Sequence, residues 1–190
     1  KEKPKYLWVD AESNFERLSS KYSISYYLEK AKDVGFNQVV VDVKPIYGEV
    51  LYKSKILPPL TTVHNKVIER DWDYLQYFID EAHRLGLKVT VSTAVFTAGH
   101  PATCEGLVYE DKRWNGKTCL EYMSNNKMLD IRDDKQKVGA FLNPVRKDVR
   151  NFALSIIREI VKNYDIDAYA LDYCRYPADN SDFSNETRKA

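Results

Sequence analysis

The chain has 190 residues, with 29 Lys and Arg against 28 Asp and Glu, 44% hydrophobic residues and 14 tyrosines. This composition excludes an intrinsically disordered chain, and no run approaches the roughly 18 consecutive apolar residues of a membrane span. The net charge of +1 excludes the basic footprint expected of a nucleic-acid-binding protein. The sequence therefore predicts one soluble globular domain whose partners do not depend on a strong electrostatic field.

Cysteine usage leaves the compartment open. Cys104, Cys119 and Cys174 are too few for a disulfide framework, and no pair has the CxxC spacing of a metal or redox site. A bridge between Cys104 and Cys119 inside one long loop is one alternative, and free thiols are the other. The chain begins without Met or an apolar targeting segment, which fits a processed secreted protein or a trimmed chain.

Four short apolar runs rich in Val or aromatic residues predict buried strands. They are Tyr6–Asp10, Gln38–Lys44, Lys88–Phe96 and Ala168–Asp172. Between them lie three segments with apolar residues at helical spacing. We expect these helices to begin at Ser23, Asp71 and Asn143, which are favoured N-cap types, and the first two to end at Gly35 and Gly86. The order βαβαβαβ predicts a parallel sheet with right-handed crossovers.

The loops that follow the strands are far longer than those that precede them. Residues 45–70 follow the second strand and residues 97–142 follow the third, whereas each helix is joined to the next strand by about three residues. Open α/β sheets and (β/α)8 barrels bind ligands at the carboxyl ends of their strands. Floppy insertions are the alternative, but aromatic residues in both loops favour ordered surface: Tyr47, Tyr52, Tyr109, Trp114 and Tyr122.

The spacing of elements predicts a barrel rather than an open sheet. A (β/α)8 barrel takes about 250 residues, and four strands with long loops occupy the 190 residues here. The last residues, from Phe183 to Ala190, have the cap and first-turn pattern of a fourth helix. We expect residues 1–190 to be a single barrel domain that holds the first four βα units and is incomplete at its carboxyl end. An intact four-stranded open sheet is the competing interpretation.

Asp172 is the first candidate for a catalytic residue. It ends the fourth predicted strand, and Ala168 and Ala170 precede it on the same face, so small residues lead up to a carboxylate at the strand mouth. Tyr173, Arg175 and Tyr176 follow and are expected to line the opening. An Arg three positions away would keep the carboxylate ionised, as a nucleophile requires. An Asp–Arg pair that merely fixes the loop is the alternative.

Charged residues also end the first two strands. Asp42 and Lys44 follow a run of valines and share one strand face, and Asp10 ends the first strand. We expect Asp42 and Lys44 at the strand mouth rather than in a core, because an unpaired buried charge is costly. Asp10 completes a possible ring of carboxylates with Asp42 and Asp172. A salt bridge, or for Asp10 an ordinary turn residue, is the alternative.

The histidines give weaker signals. His100 follows the third strand and is placed to touch a ligand, whereas His83 lies in a helix and is expected to be solvated. A metal site built from Asp42, His64 and His100 has suitable ligand types but no characteristic spacing. The GxGxxG, GxxxxGK[ST] and GxSxG motifs do not occur. We therefore predict no metal and no cofactor.

Three blocks of the sequence resemble the family-ten-like glycosyl hydrolases, (β/α)8-barrel proteins related to the amylase-like hydrolases. FLNPVRKDVRNFALSIIREIVKNYDIDAYALDYCRYP is similar to the family's "NP…VR…YDVDGIHLDYxRYP" block. FNQVVVDVKPIYGEVLYKSKILPPL is similar to its second-strand segment, and DWDYLQYFIDEAHRLGLKVTVSTAVF to its "D…L…AHxxGLxVHAW" segment. The chain departs from the pattern at Ala168, where the family has Gly, at Thr93 and its neighbours, and across the loop of residues 97–142.

The resemblance implies hydrolysis of a polysaccharide or peptidoglycan-type glycan, with Asp172 as the leading catalytic carboxylate. It also implies that Asp42 and Lys44 face the sugar. We expect a second carboxyl group, the general acid, on a strand beyond residue 190. The partner is a carbohydrate, and the location is secreted, periplasmic or cell-surface. The competing hypotheses are a glycan-binding barrel without catalysis and a metal-dependent hydrolase that uses Asp42, His64 and His100.

Overall fold

The computed structural model describes residues 3–190, which form an α/β fold. In chain order the elements are β1 (Tyr6–Val9), α1 (Lys21–Asp33), β2 (Gln38–Lys44), β3 (Thr62–Val63), β4 (Lys66–Val67), α2 (Tyr74–Arg84), β5 (Lys88–Ala94), α3 (Leu107–Glu110), β6 (Leu120–Tyr122), β7 (Met128–Asp130), α4 (Lys147–Asn163), β8 (Ala168–Asp172) and α5 (Asn185–Lys189). The predicted order of four strands and three long helices is therefore confirmed.

The four predicted strands form one sheet in the order β1-β2-β5-β8. β1 and β2 are parallel, as are β2 and β5, with Val41 opposite both Val9 and Val91. Val39, Val41 and Val43 are fully buried, which explains why β2 has a run of valines. The first and third strands end at Val9 and Ala94, slightly earlier than predicted. A parallel sheet with helical connections is thus confirmed.

The N-caps of the first two helices differ from the predicted ones. Ser20, not Ser23, caps α1, and the two serines form a reciprocal capping box in which each side chain contacts the other residue's backbone N–H. Asp73, not Asp71, caps α2 and accepts a hydrogen bond from the Gln76 N–H at 3.1 Å. In both helices a second residue of the same type lies within three positions of the true N-cap. Residue type alone therefore could not identify which of the two is the N-cap.

The third long helix, α4, begins at Lys147, and the prediction that Asn143 caps it is wrong. The Asn143 side chain instead accepts a hydrogen bond from the Val145 N–H at 3.1 Å, and its carbonyl accepts one from Arg146. These bonds form a turn that precedes the helix. The predicted ends of α1 and α2 are confirmed, because Gly35 and Gly86 both adopt positive φ just past the helices. The predicted last helix is α5.

The chain divides into two compact units. The first holds the chain up to Pro45 together with Val50–Thr93 and Ile160–Ala170. Its core contains the buried faces of α1 and α2, which are Ile24, Leu28, Ala31, Leu75, Phe78, Ile79 and Ala82. Burial of each large apolar side chain contributes about 1.5–3 kcal/mol. Its long loop contains the β3–β4 hairpin, whose turn residues His64 and Asn65 both have positive φ.

The second unit comprises Ile46–Glu49, Ala94–Glu159 and Leu171–Ala190. Its long loop is an ordered structure rather than a floppy insertion, since it holds α3 and the antiparallel β6–β7 hairpin. The Trp114 ring packs on Phe152 with ring centroids 4.5 Å apart. Cys119, Ile131 and Phe141 form a buried cluster. Cys104, Cys119 and Cys174 are all free thiols, so the proposed bridge between the first two is absent.

Candidate functional site

The carboxyl end of β2 carries Asp42 and Lys44, and the strand is irregular between these two residues. Asp42 lies opposite Ser92 and Lys44 opposite Thr93, so two steps on β2 match one step on β5 and the strand is bulged. The bulge accompanies full burial of the Lys44 side chain, which is 1% exposed, while Asp42 is half-buried. The expectation that both charges lie outside the core is wrong for Lys44.

Burial moves the pKa values of both Asp42 and Lys44 toward neutral pH. Loss of hydration raises the pKa of Asp42 to about 7, against the opposing effect of the Ala11 N–H, which donates to the carboxylate at 3.4 Å. Loss of hydration also lowers the pKa of Lys44 to about 7, and the charge of Asp42 offsets part of that shift. The pair can therefore gain or lose a proton near pH 7, which is a property of groups that take part in acid–base chemistry.

Asp10 lies one residue beyond β1 and is exposed. Its side chain accepts a hydrogen bond from the Ser13 N–H at 2.7 Å, and its carbonyl accepts one from the Asn14 side chain. These contacts make Asp10 the first residue of a turn. Its charge also raises the pKa of Asp42, so the two carboxylates are within electrostatic reach of one another.

Asp172 ends β8 and its side chain is exposed. Its carbonyl accepts a hydrogen bond from the Val95 N–H at 2.8 Å, which fixes the backbone, while its carboxylate accepts one from the Tyr173 N–H at 2.8 Å. Tyr173 has φ of +44°, a conformation that is uncommon for a residue with a side chain and redirects the chain directly after the carboxylate. Asp172 is thus held by the backbone with its carboxylate oxygens open to solvent.

Two of the three residues expected to line the opening beside Asp172, namely Tyr173 and Arg175, contact aromatic rings of the protein. The Tyr173 ring lies edge-on to Phe141, with centroids 5.7 Å apart, and joins the buried cluster of the second unit. The Arg175 guanidinium lies over both rings and donates to the carbonyls of Tyr176 and Pro177 at 3.0 Å. Within residues 3–190 no ion pair joins Arg175 to Asp172, so the expected Asp–Arg pair is wrong. Arg175 instead stabilises the loop that follows β8.

His100 is packed face to face on Tyr47, with ring centroids 5.8 Å apart and planes 17° from parallel. Its backbone N–H donates to the Glu105 carbonyl at 2.8 Å. The ring Nδ1 atom is buried and has no hydrogen-bond partner among the described residues. A polar atom in that position is available to a ligand that reaches it, which keeps His100 a candidate for ligand contact.

Glu49 is a candidate that sequence reasoning missed. Burial, together with the charges of Glu110 and Glu105, raises the pKa of this half-buried carboxyl group to about 7. A carboxylic acid that stays protonated near neutral pH has the property required of a general acid. The local sequence gives no signal for this shift, since the two other glutamates lie more than 50 residues away.

The remaining histidines do not assemble a metal site. Residues 3–190 contain no group of three His, Cys, Asp or Glu side chains that could hold a metal ion. His64 lies in the β3–β4 turn. His83 is a surface residue as expected, with 33% of its side chain exposed, and its Nε2 also lies 2.9 Å from a carboxylate oxygen of Asp167. Among the helices of residues 3–190, none combines the length and the hydropathy that a membrane span requires.

The parallel four-stranded sheet with helical connections superposes on part of a glycosidase barrel, so the fold is of the (β/α)8-barrel class, of which the chain holds part. The chain belongs to the glycosyl hydrolase-like 10 family, whose model matches residues 5–189. The resemblance noted in the sequence is therefore confirmed.

Two curated proteins illustrate the relationship. An S-layer-related protein of Niallia circulans is 34% identical over 96% of this chain. Glycosyl hydrolase DigH of Escherichia coli K12 is 28% identical over 76% of it. The alignments take in 12% and 32% of the two relatives, so the chain spans a minor part of the length of each.

Two solved structures share the fold. A hypothetical protein from Ruminiclostridium thermocellum superposes with a TM-score of 0.61 at 19% identity, over 97% of this chain and 83% of that one. The alpha-L-fucosidase isoenzyme 2 of Paenibacillus thiaminolyticus superposes with a TM-score of 0.59 at 20% identity, over 88% of this chain and 23% of that one. The match to part of a glycosidase barrel agrees with the predicted fold class, and the family defines a glycoside-hydrolase-like protein.

Proposed function

We propose that this protein hydrolyses O-glycosidic bonds of a polysaccharide or peptidoglycan-type glycan, with Asp172 as the catalytic carboxylate. The observation that carries the proposal is the position of Asp172, which ends β8 with its side chain exposed and its backbone held by Val95. Catalytic groups of (β/α)8 barrels lie at this end of the strands. A rigidly held, solvent-facing carboxylate suits attack on an anomeric carbon or activation of a water molecule.

Glycoside hydrolysis requires a second carboxyl group that donates a proton to the leaving oxygen. We assign this general acid to a strand that follows residue 190. Within the described residues, Glu49 has a suitable pKa of about 7, which makes it the alternative donor to test inside this chain. Asp172 then acts as nucleophile in a retaining reaction or as base in an inverting one.

The other candidate residues are proposed to contact the sugar. Asp10 and Asp42 offer carboxylate oxygens to hydroxyl groups, and the stacked Tyr47–His100 pair offers an aromatic face to the C–H side of a sugar ring. Lys44 is proposed to act on the substrate through Asp42, since its own side chain is buried. Tyr173 and Arg175 are proposed to shape the rim beside Asp172.

We also propose that the protein acts at the cell surface, as the name of the S-layer-related relative suggests. A glycan-binding barrel without catalysis is the second candidate. The observation in its favour is that Arg175 does not pair with Asp172, so no cation among the ion pairs of residues 3–190 supports the ionised carboxylate.

The experiment is a screen of the protein for release of reducing ends from α-glycans, β-glycans and peptidoglycan, followed by comparison of Asp172→Asn with Asp179→Asn. Asp179 is an exposed aspartate seven positions along the chain and is the matched control. We expect turnover on one glycan class that Asp172→Asn lowers by at least about a thousandfold and Asp179→Asn leaves intact. If the unmodified protein binds a glycan of the screen and turns over none of them, the second candidate is favoured and hydrolysis is contradicted.

A further inference from the structure

A cavity lies in the first unit, between the loop that follows β2 and the start of α2. Its volume is about 520 Å³. Apolar side chains form the floor, and the polar and aromatic residues in its lining include Tyr52, Lys53, Arg70, Trp72 and Tyr74. A pocket of this size that is mostly apolar with a few convergent polar groups has the character of a small-ligand site.

Arg70 is the unusual residue in this cavity. Its guanidinium lies over the rings of Phe15, Trp72 and Tyr74, at 5.5, 5.7 and 5.1 Å from their centroids. Among the described residues its Nε atom is buried and has no hydrogen-bond partner, and Nη2 makes only a long contact of 3.4 Å to the Leu18 carbonyl. No carboxylate forms an ion pair with Arg70 anywhere in residues 3–190. The three rings offset part of the cost of burying the charge, and an anion in the cavity would supply the counter-charge that the protein does not.

The surroundings of Arg70 restrict the chemistry of that anion. Lys53 adds a second positive charge to the lining, and Glu69, which is exposed, is the one acidic residue there. Trp72 is half-buried, and Arg70 and Lys21 lie over its ring at 5.7 and 5.6 Å from the centroid, so a ligand reaches only the exposed part of the indole. Contact with the C–H groups of a sugar ring suits that part of an aromatic side chain, and the planar fork of Arg matches the two oxygens of a carboxylate.

We propose that this cavity binds a saccharide that carries a carboxylate, with Arg70 pairing the carboxylate and the exposed part of the Trp72 indole contacting the sugar ring. The proposal rests on the proposed function only in taking the ligand to be a carbohydrate. It adds a binding site whose lining does not include Asp172, and a preference for acidic sugars over neutral ones.

The test is an equilibrium NMR titration of the protein with three probes. Trigalacturonate carries the carboxylates, its methyl ester has the same rings without the charge, and acetate has the carboxylate without the ring. We expect trigalacturonate to bind and to shift the Trp72 indole signal, and the other two probes to bind at least tenfold more weakly. Equal binding of the methyl ester would overturn the role of the carboxylate, and equal binding of acetate would overturn the role of the sugar ring.

Variants separate recognition by Arg70 from a structural role in stacking. Arg70→Gln removes the charge, and Arg70→Lys keeps the charge but lacks the planar fork, so it serves if Arg70→Gln does not fold. Arg17→Gln is the control, since Arg17 is exposed and also lies over a tyrosine ring, that of Tyr27 at 5.9 Å. We expect trigalacturonate to bind at least tenfold more weakly to Arg70→Gln, at least threefold more weakly to Arg70→Lys and unchanged to Arg17→Gln.

Unchanged affinity in either folded Arg70 variant overturns the proposal. The titration measures binding without turnover, so its result is independent of the hydrolysis assay. If the protein hydrolyses a glycan and the Arg70 variants bind trigalacturonate with unchanged affinity, only the cavity assignment is contradicted. Selective binding without hydrolysis contradicts the proposed function alone.

Discussion

The carboxylate of Asp42 accepts a hydrogen bond from the backbone N–H of Lys44 at 3.2 Å, and the Lys44 side chain is almost completely buried. The two residues therefore share a local contact and a desolvated environment at the end of β2. Desolvation brings the pKa of each to about 7, the carboxyl group from below and the amine from above. Such a pair titrates as a unit near neutral pH.

The first prediction is that Lys44→Met raises the pKa of Asp42 above its value of about 7. The positive charge of Lys44 lowers the Asp42 pKa, so its removal leaves desolvation and the charge of Asp10 less opposed. The measurement is the pH dependence of the Asp42 carboxyl ¹³C signal. Lys88→Met, an exposed lysine at the other end of the sheet, is the control and should leave that titration unchanged. A lower Asp42 midpoint in Lys44→Met would contradict the assignment.

A second prediction concerns the start of α2. The Asp73 carboxylate accepts hydrogen bonds from the Gln76 N–H and from the Tyr164 hydroxyl, the latter at 2.6 Å. Asp73→Ala removes a cap and a partly buried hydrogen bond, so we expect it to lower the free energy of unfolding by about 2 kcal/mol. Asp71→Ala changes an exposed side chain and should cost less than about 0.5 kcal/mol. Urea unfolding measures the free energy of unfolding of both variants. An equal loss of stability in Asp73→Ala and Asp71→Ala would contradict Asp73 as the cap of α2.

The third prediction tests the core of the first unit. Phe78 is 1% exposed and its ring lies 6.0 Å from that of Tyr74. Phe78→Ala is expected to lower the free energy of unfolding by about 3–5 kcal/mol, because it removes apolar contacts and leaves a cavity. Val161→Ala is the control, since Val161 is 55% exposed on α4. A loss below about 1 kcal/mol for Phe78→Ala would show that this face of α2 is not tightly packed.

A fourth prediction is the pH dependence of an ion-pair network. Hydrogen bonds from Lys117 and Arg146 lower the pKa of Asp148 to about 2 from its usual 3.8. A depressed folded-state pKa contributes stability above pH 3.8 that is lost as the pH falls toward 2. Because Asp148 is 45% exposed, solvent screening limits the contribution to about 1 kcal/mol or less.

Asp148→Asn should therefore destabilise the protein at pH 7, and the difference from the unmodified chain should shrink between pH 4 and pH 2. Guanidinium unfolding at several pH values measures it. Glu186→Gln serves as a partial control, since it removes only the outer ion pair to Arg146. A difference that stays constant with pH would contradict the electrostatic origin.

The sheet and its helices were predictable because short stretches of sequence are enough to indicate them. The valine run of β2 and the glycines after α1 and α2 have the same meaning in most folds. The capping residues were less predictable, because Ser20 and Ser23, or Asp71 and Asp73, differ only in the backbone geometry that the finished fold imposes.

For the candidate residues, the sequence predicted the position along the strands but not the burial or the pKa shifts. Asp42 and Asp172 lie at strand ends as expected. Burial of Lys44 depends on a bulge, and the raised pKa of Glu49 depends on Glu105 and Glu110, which the folded loop brings near it. Arg175 was expected beside Asp172 from sequence separation alone, but the rings of Phe141 and Tyr173 give its guanidinium a better place to pack.

The most direct test of the account is chemical rescue at Asp172. Asp172→Gly removes the carboxylate and leaves space, so added formate or azide can take its place beside the anomeric carbon. On the glycan that the unmodified protein cleaves, we predict that Asp172→Gly loses at least about a thousandfold in kcat and regains turnover as formate or azide is added. Turnover close to that of the unmodified protein in folded Asp172→Gly, without any added anion, would contradict the assignment of Asp172 as the catalytic carboxylate.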